Sequence, residues 1–294
     1  MDFGLHFPQP NIPADPGAIR DFFQSAEALG YSFVNVPDHV IQTREARADF
    51  AMAANYTTEY PNHETMTVLA FAAGITSEIR LKAAVLVLPQ RQAVLVAKQA
   101  AQIDVLSNGR MELGVGVGWN HPEYDSLNKS FTNRGKRIEE QIDVLRQLWT
   151  QQHVTFDGTW HQIEDAGLAP MPIQQPIPIW IGAFSEVAIE RAARMADGWQ
   201  SLLRSPGEEA KQAMDDFKAM VQDAGRDPAD VRIEAPLFAP ERNEEAWAQQ
   251  IDDWVESGAT QIVFRPQGEF AHMVERIEAF AQVMRDYDAR TRSQ

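Results

Sequence analysis

The stretch LKAAVLVLPQRQAVLVAKQAAQIDVLSNGRMELGVGVGW, residues 81–119, decides the fold. Its first part, 81–88, is almost continuously apolar, as in a strand buried on both faces. Val96, Ala100, Ile103 and Leu106 then recur at helical spacing, and Asn108-Gly109 supplies the stop. Glu112–Val117 reads as the next strand. Strand, helix and strand in so short a run form a βαβ unit. Repeated units of this kind build a parallel sheet with helices outside, because each crossover is right-handed.

The same alternation continues in both directions. Upstream, strands are predicted at 3–7 and 32–36. Between them runs a helix marked by Ile19, Phe22, Phe23, Ala26 and Leu29 and stopped by Gly30, and a helix over 64–73 follows. Downstream come a helix at about 134–149, a small hairpin over 154–163, and a strand at 177–181 with its helix at 185–196. Strands at 198–202, 231–237 and 260–265 each precede a helical stripe, the last running from Phe270 to Met284. Eight strand–helix units predict an α/β fold, a (β/α)8 TIM barrel with loop insertions, as one domain over residues 1–294. An open doubly wound sheet is the alternative. The long aperiodic stretch at about 38–62, with His39, Tyr56 and Tyr60, reads as a functional loop.

Composition narrows the chemistry. The chain has no cysteine, which excludes disulfides, thiol nucleophiles and iron–sulfur clusters, so redox work would need a bound cofactor. A formal net charge of −16 argues against nucleic-acid and anionic-membrane partners. Met1-Asp2-Phe3-Gly4 lacks the basic and apolar regions of a signal peptide, and no apolar run nears the roughly 20 residues of a membrane span. The expectation is a soluble cytoplasmic protein acting on a small molecule. The seven histidines show no metal-ligand spacing, and no phosphate-loop or nucleophile-elbow motif is present.

Four places carry candidate chemistry. Pro37-Asp38-His39 follows the second strand, at the barrel mouth where catalytic groups gather, and histidine titrates near neutral pH. Gly114, Gly116 and Gly118 alternate with valines at strand period; they either leave room for a flat ligand or serve tight packing. Glu123 follows in the loop above that strand, and a carboxylate there acts as acid or base only if desolvated. Gly182-Ala183-Phe184-Ser185 leads into a helix, either as a phosphate cradle or as an ordinary N-cap. Arg265 ends the last strand, where it meets an anion at the mouth or a loop carboxylate.

The stretches 26–39, 75–124, 134–149 and 176–199 together resemble the bacterial luciferase-like monooxygenase superfamily, and most closely its branch of coenzyme F420-dependent oxidoreductases. The resemblance implies a deazaflavin across the C-terminal mouth, with His39 near its reacting carbon or polar edge and Asp38 also approaching it. It further implies a non-proline cis peptide under the ring at about Ala84-Val85. Gly116, Gly118 and Trp119 would lie beside the ring or its chain, and Gly182, Ala183, Phe184 and Ser185 would hold the phosphate. Ala183 and Phe184 stand where many relatives carry smaller residues. His39 is the first choice for acid/base work and Glu123 the second, with Tyr56 and Trp119 lining the substrate pocket. The expected reaction is F420-dependent hydride transfer to or from a small organic substrate, in a homodimer. The alternatives are an FMN-dependent monooxygenase served by a reductase partner and a non-catalytic flavin-binding protein. A metal-dependent barrel hydrolase is disfavoured.

Overall fold

Parallel strand pairing runs all the way round an eight-stranded closed barrel, which excludes the open sheet. The structure is a computed structural model and describes residues 1–44 and 57–292. Chain order gives β1 (Asp2–His6), β2 (Phe33–Val36), β3 (Arg80–Val87) and β4 (Met111–Gly116) as consecutive neighbours. After β4 the chain forms an antiparallel hairpin, β5 (Val154–Asp157) with β6 (Gln162–Ala166), which stands apart from the barrel. The ring resumes with β7 (Ile179–Ala183), β8 (Gly198–Ser201), β9 (Arg232–Ala239) and β10 (Gln261–Pro266), and β10 pairs with β1. The outer layer comprises α1 (Pro16–Ala28), α2 (Thr65–Ile75), α3 (Ala93–Leu106), α4 (His121–Ser126), α5 (Arg134–Thr150), α6 (Glu186–Met195), α7 (Glu208–Asp223), α8 (Glu244–Ser257) and α9 (Phe270–Arg292).

Local signals fix the helix ends. Asp15 caps α1 by accepting from the Ala18 N–H at 2.9 Å, with Pro16 in the first turn where its missing N–H costs nothing. Gly258 ends α8 at φ 104°, in the left-handed region that favours glycine. One expectation fails here. Glu123, read as lying in a loop above β4, instead sits in α4, whose first turn tolerates Pro122. Buried Tyr124 ties this short helix down by donating its hydroxyl to the Val117 carbonyl at 2.6 Å. Among the described residues no helix is long and apolar enough to cross a membrane.

The N-terminal half of the barrel interior is filled by a charged network rather than by aliphatic side chains. Lys82 is fully buried, with its ammonium 2.8 Å from Glu234 and 3.3 Å from Glu112, and 3.5 Å from the centre of the Trp180 ring. Arg80 bridges Glu112 at 2.8 Å and Asp2 at 2.5 Å, and Arg232 reaches Glu112 at 3.4 Å. Burial pushes the Glu112 carboxyl up, but Lys82, Arg80 and Arg232 outweigh it and hold the pKa below its ordinary value. Glu112 is therefore the shared counter-charge of three cations. Replacing it by alanine leaves Lys82 short of a partner, and the expected loss in urea unfolding is about 3–5 kcal/mol. A loss under about 1 kcal/mol would mean that these cations do not depend on Glu112.

Candidate functional site at the barrel mouth

Every barrel strand contributes its C-terminal portion to one cavity of about 380 Å³. Its floor is the top of the charged network. Glu234, anchored by Lys82, accepts from the Asn35 side-chain amide at 2.7 Å and from that of Gln200 at 3.1 Å. A carboxylate can only accept, so it turns both amide nitrogens toward itself. The Asn35 Oδ1 and Gln200 Oε1 oxygens consequently face away, buried and without a hydrogen-bond partner. Both oxygens are sealed beneath the floor, Gln200 Oε1 against Gly114, and are not open to the cavity.

One wall is built around Val85. The Ala84-Val85 peptide is cis, at the position the resemblance implies, and the β3–β4 register shifts there. A Cβ on Gly116 would stand 2.7 Å from one Val85 methyl, and a Cβ on Gly182 would stand 2.7 Å from the other. Gly118 gives the same room to Val87. The glycines thus admit valine side chains, and the surface offered to a ligand includes Val85 as well as backbone. Of the two readings of these glycines, tight packing is the one seen, against Val85 and Val87. Trp119 continues the wall.

The end beside β7 is built from anion donors. Ser185 is the N-cap of α6, yet its hydroxyl makes no capping bond; the Ala188 N–H turns back to the Ser185 carbonyl at 2.9 Å, which leaves the hydroxyl and the two N–H groups before Ala188 as the donors at this helix start. Arg134 lines the same cavity, with its guanidinium 3.7 Å from the Phe131 ring centre and its Nε buried without a partner. At the opposite end Arg265 Nη2 lies 3.1 Å from Nε2 of His6. Burial and then the Arg265 charge push the His6 pKa well below its ordinary value, so the ring is neutral at pH 7. His6 and Arg265 also line a second cavity of about 500 Å³, which includes Tyr60 and Phe238.

Ala84, Val85, Gly116, Gly118, Trp119 and residues 182–185 all line the mouth cavity; Asp38, His39 and Glu123 do not. His39 packs against Trp119 with ring centres 5.5 Å apart, and its Nδ1 lies 3.2 Å from Glu123. Glu123 is fully buried, contrary to a solvated loop glutamate, and also accepts from the Val40 and Ile41 N–H groups and from Gln90. Burial pushes its carboxyl up, but these donors, His39 first, bring it below its ordinary pKa. It is an anion that holds His39 as an Nδ1–H donor. Asp38 turns the other way. Its carboxylate pairs with Arg91 at 2.8 Å and accepts from the Val87 N–H at 3.0 Å, so it anchors the β3 end instead of facing the cavity. Tyr56 lies outside the described residues. The sequence reading missed Asn35, Gln200, Glu234, Arg134 and His6; for all but Arg134, which begins α5, the available signal was a polar residue inside an otherwise apolar strand. Among the described residues no group of three or more His, Asp or Glu side chains is placed to hold a metal ion.

A parallel eight-stranded barrel with an apolar wall and a helix start on one cavity at its C-terminal rim has the architecture in which such barrels place their ligand sites. The chain belongs to the luciferase-like monooxygenase family, whose pattern matches residues 1–294. An uncharacterized protein of Mycobacterium tuberculosis is 36% identical over 180 residues, which is 60% of this chain and 62% of that protein. The FMNH(2)-dependent dimethylsulfone monooxygenase of Pseudomonas fluorescens is 30% identical over 232 residues, 78% of this chain and 59% of that one. The chain thus matches under two thirds of the length of both relatives. Among solved structures, the coenzyme F420 dependent tetrahydromethanopterin reductase from Methanopyrus kandleri superposes with a TM-score of 0.77 at 17% identity, covering 96% of this chain and 97% of that one.

Two measurements check this geometry. Gly116→Ala should cost about 1–3 kcal/mol by overpacking against Val85, and adding Val85→Ala should recover part of that loss in a double-mutant cycle. Strictly additive losses would show that the two residues do not compete for space. The depressed His6 pKa gives a stability contribution present above the ordinary value of 6.5 and lost as pH falls toward the folded value. Below 6.5, His6→Asn should therefore have a flatter stability–pH curve than the parent, by up to about 1.4 kcal/mol per pH unit. Parallel curves would mean that His6 protonates as freely when folded as when unfolded.

Proposed function

We propose that the mouth cavity holds the ring of coenzyme F420 and that the protein catalyses hydride transfer to or from a small organic substrate. The observation that carries this is the convergence of all eight strands on one cavity with an apolar wall and an N-cap free of side-chain capping at one end. The residues fit such a group. Val85 and Trp119 give apolar surface, and Ser185, the α6 start and Arg134 suit a phosphate. When bound, a deazaflavin supplies a carbon-centred hydride donor or acceptor, which favours two-electron transfer over oxygen activation.

The chain itself orients, dries and moves a proton. Trp119 and Val85 exclude water from the reacting face. Glu123 holds His39 through Nδ1 with its ring against the cavity wall residue Trp119, and the acid/base role is assigned to that imidazole from just behind the wall. Arg265 and neutral His6 set the polarity of the side remote from the phosphate end.

A second reading is an FMN-dependent monooxygenase using molecular oxygen and reduced flavin from a partner reductase. The 30% identity to an FMNH(2)-dependent enzyme favours it. Titration of the purified protein with F420 and with FMN, followed by fluorescence, separates the two. The expected result is tighter binding of F420, with turnover of His39→Ala reduced about 10²–10⁴-fold and binding retained. Tight FMN binding without F420 binding would transfer the assignment to the second reading. Binding of neither would reject both.

A further inference from the structure

The mouth cavity adjoins the second cavity of about 500 Å³, and His6 and Arg265 are the lining residues common to both. His6 ends β1 and Arg265 lies near the end of β10, the strand paired with it. The junction of the two spaces is therefore a histidine beside an arginine. A substrate that meets a cofactor in the mouth cavity needs an adjoining space, and the second cavity is of ordinary ligand size.

Phe7, Tyr60, Phe238 and Met273 line this second cavity with prolines between them, and no carboxylate does. Among the described residues Arg265 is the one formal charge in its lining. Such a lining suits an uncharged, largely apolar molecule with its polar end at the junction. A cationic molecule would meet Arg265 with no acid to offset it.

The junction is arranged for a neutral imidazole. Arg265 Nη2 lies 3.3 Å from Nδ1 and 3.1 Å from Nε2 of His6. A guanidinium only donates, so this contact is favourable only if His6 keeps a lone pair toward it. Burial and then the Arg265 charge lower the His6 pKa, in agreement with that geometry. The residue facing His6 on β2 is the uncharged Asn35. Glu234 on β9 lines the same mouth cavity, but its oxygens are engaged by Lys82, Asn35 and Gln200. Among the described residues Arg265 is thus the one charged group within hydrogen-bond distance of this imidazole. His39 stands behind Trp119 and lines neither cavity, so a proton leaving a molecule in the second cavity meets His6 first.

We propose that the second cavity is the substrate chamber, that its substrate is an uncharged alcohol with an apolar body, or the matching ketone or aldehyde, and that His6 is the catalytic residue that exchanges a proton with the substrate oxygen. The inference rests on the reading of the mouth cavity given above. In the oxidising direction the substrate's C–H pair leaves as hydride to the oxidised deazaflavin. Its O–H pair becomes the second carbon–oxygen bond, and the proton passes to a nitrogen of His6. Arg265 stabilises the oxygen on which negative charge develops. Reduction runs the same steps backward, from the reduced coenzyme and the imidazolium. His39 is left to the coenzyme's side of the reaction.

The test uses the full chain loaded with F420, with cyclohexanol and benzyl alcohol as probes and cyclohexylamine as the cationic control. In protein carrying isotope-labelled histidine, the resonance missing from His6→Gln identifies the His6 imidazole. Either alcohol at saturation should shift that resonance in the parent, and cyclohexylamine should leave it in place. In turnover, kcat/KM for alcohol oxidation should fall as pH drops through the depressed His6 pKa, below 6.5. His6→Gln should lower kcat/KM about 10²–10⁴-fold and remove that acid limb, with F420 affinity unchanged. Arg265→Gln should move the limb to higher pH, because loss of the cation raises the His6 pKa. An alcohol oxidised without moving the His6 resonance would overturn the assignment, as would parental kcat/KM in His6→Gln. Oxidation of neither alcohol by a parent that binds F420 would overturn the substrate class and leave the mouth cavity standing. A parent that binds no F420 would remove the mouth reading, and the chamber assignment with it.

Discussion

Closing eight parallel strands into a ring leaves no free edge and turns one set of side chains of every strand onto a common axis. That constraint shapes everything inside. Parallel order places all the strand C-termini at one rim, so residues as distant in sequence as His6, Gly116, Gly182 and Arg265 meet there. It also means that the axis must be filled. Here Lys82, Glu112, Glu234, Asn35 and Gln200 fill it, and their mutual pairing decides how the amides at the cavity floor are turned.

The alternation of strands and helices is readable in the sequence because outward strand residues are packed under helices and are written as valine, isoleucine and leucine. The inward layer is not readable in the same way. Lys82, Glu112 and Glu234 alternate with apolar neighbours, and that pattern is identical to a strand with one face in water. Only closure of the barrel tells which face is inside. The hairpin at 154–166 was recognisable from its short apolar pieces and intervening glycine.

The site shows the same division. Placement after a strand is enough to bring residues 84–85, 116–119 and 182–185 to one cavity, since backbone position decides it. Side-chain direction is harder. Asp38 and His39 are adjacent, yet successive residues leave an extended chain on opposite sides, so one reaches Arg91 and the other Glu123. Glu123 looked solvated because α4 is too short to announce itself by periodicity and begins at a proline. Glycine identity was visible, but its purpose depends on Val85, whose approach follows from a local backbone irregularity at β3 that no composition rule encodes.

The packed lysine beneath the floor also governs traffic. Lys82 is wholly enclosed and the layer around it is knit by ion pairs, so the barrel is stoppered at its lower end. Molecules can come and go only past the rim, beside the solvent-facing Phe184 and Leu202. A stoppered well imposes a sequence: the deepest occupant is the first to arrive and the last to depart, and anything resting above it must clear out before exchange can begin.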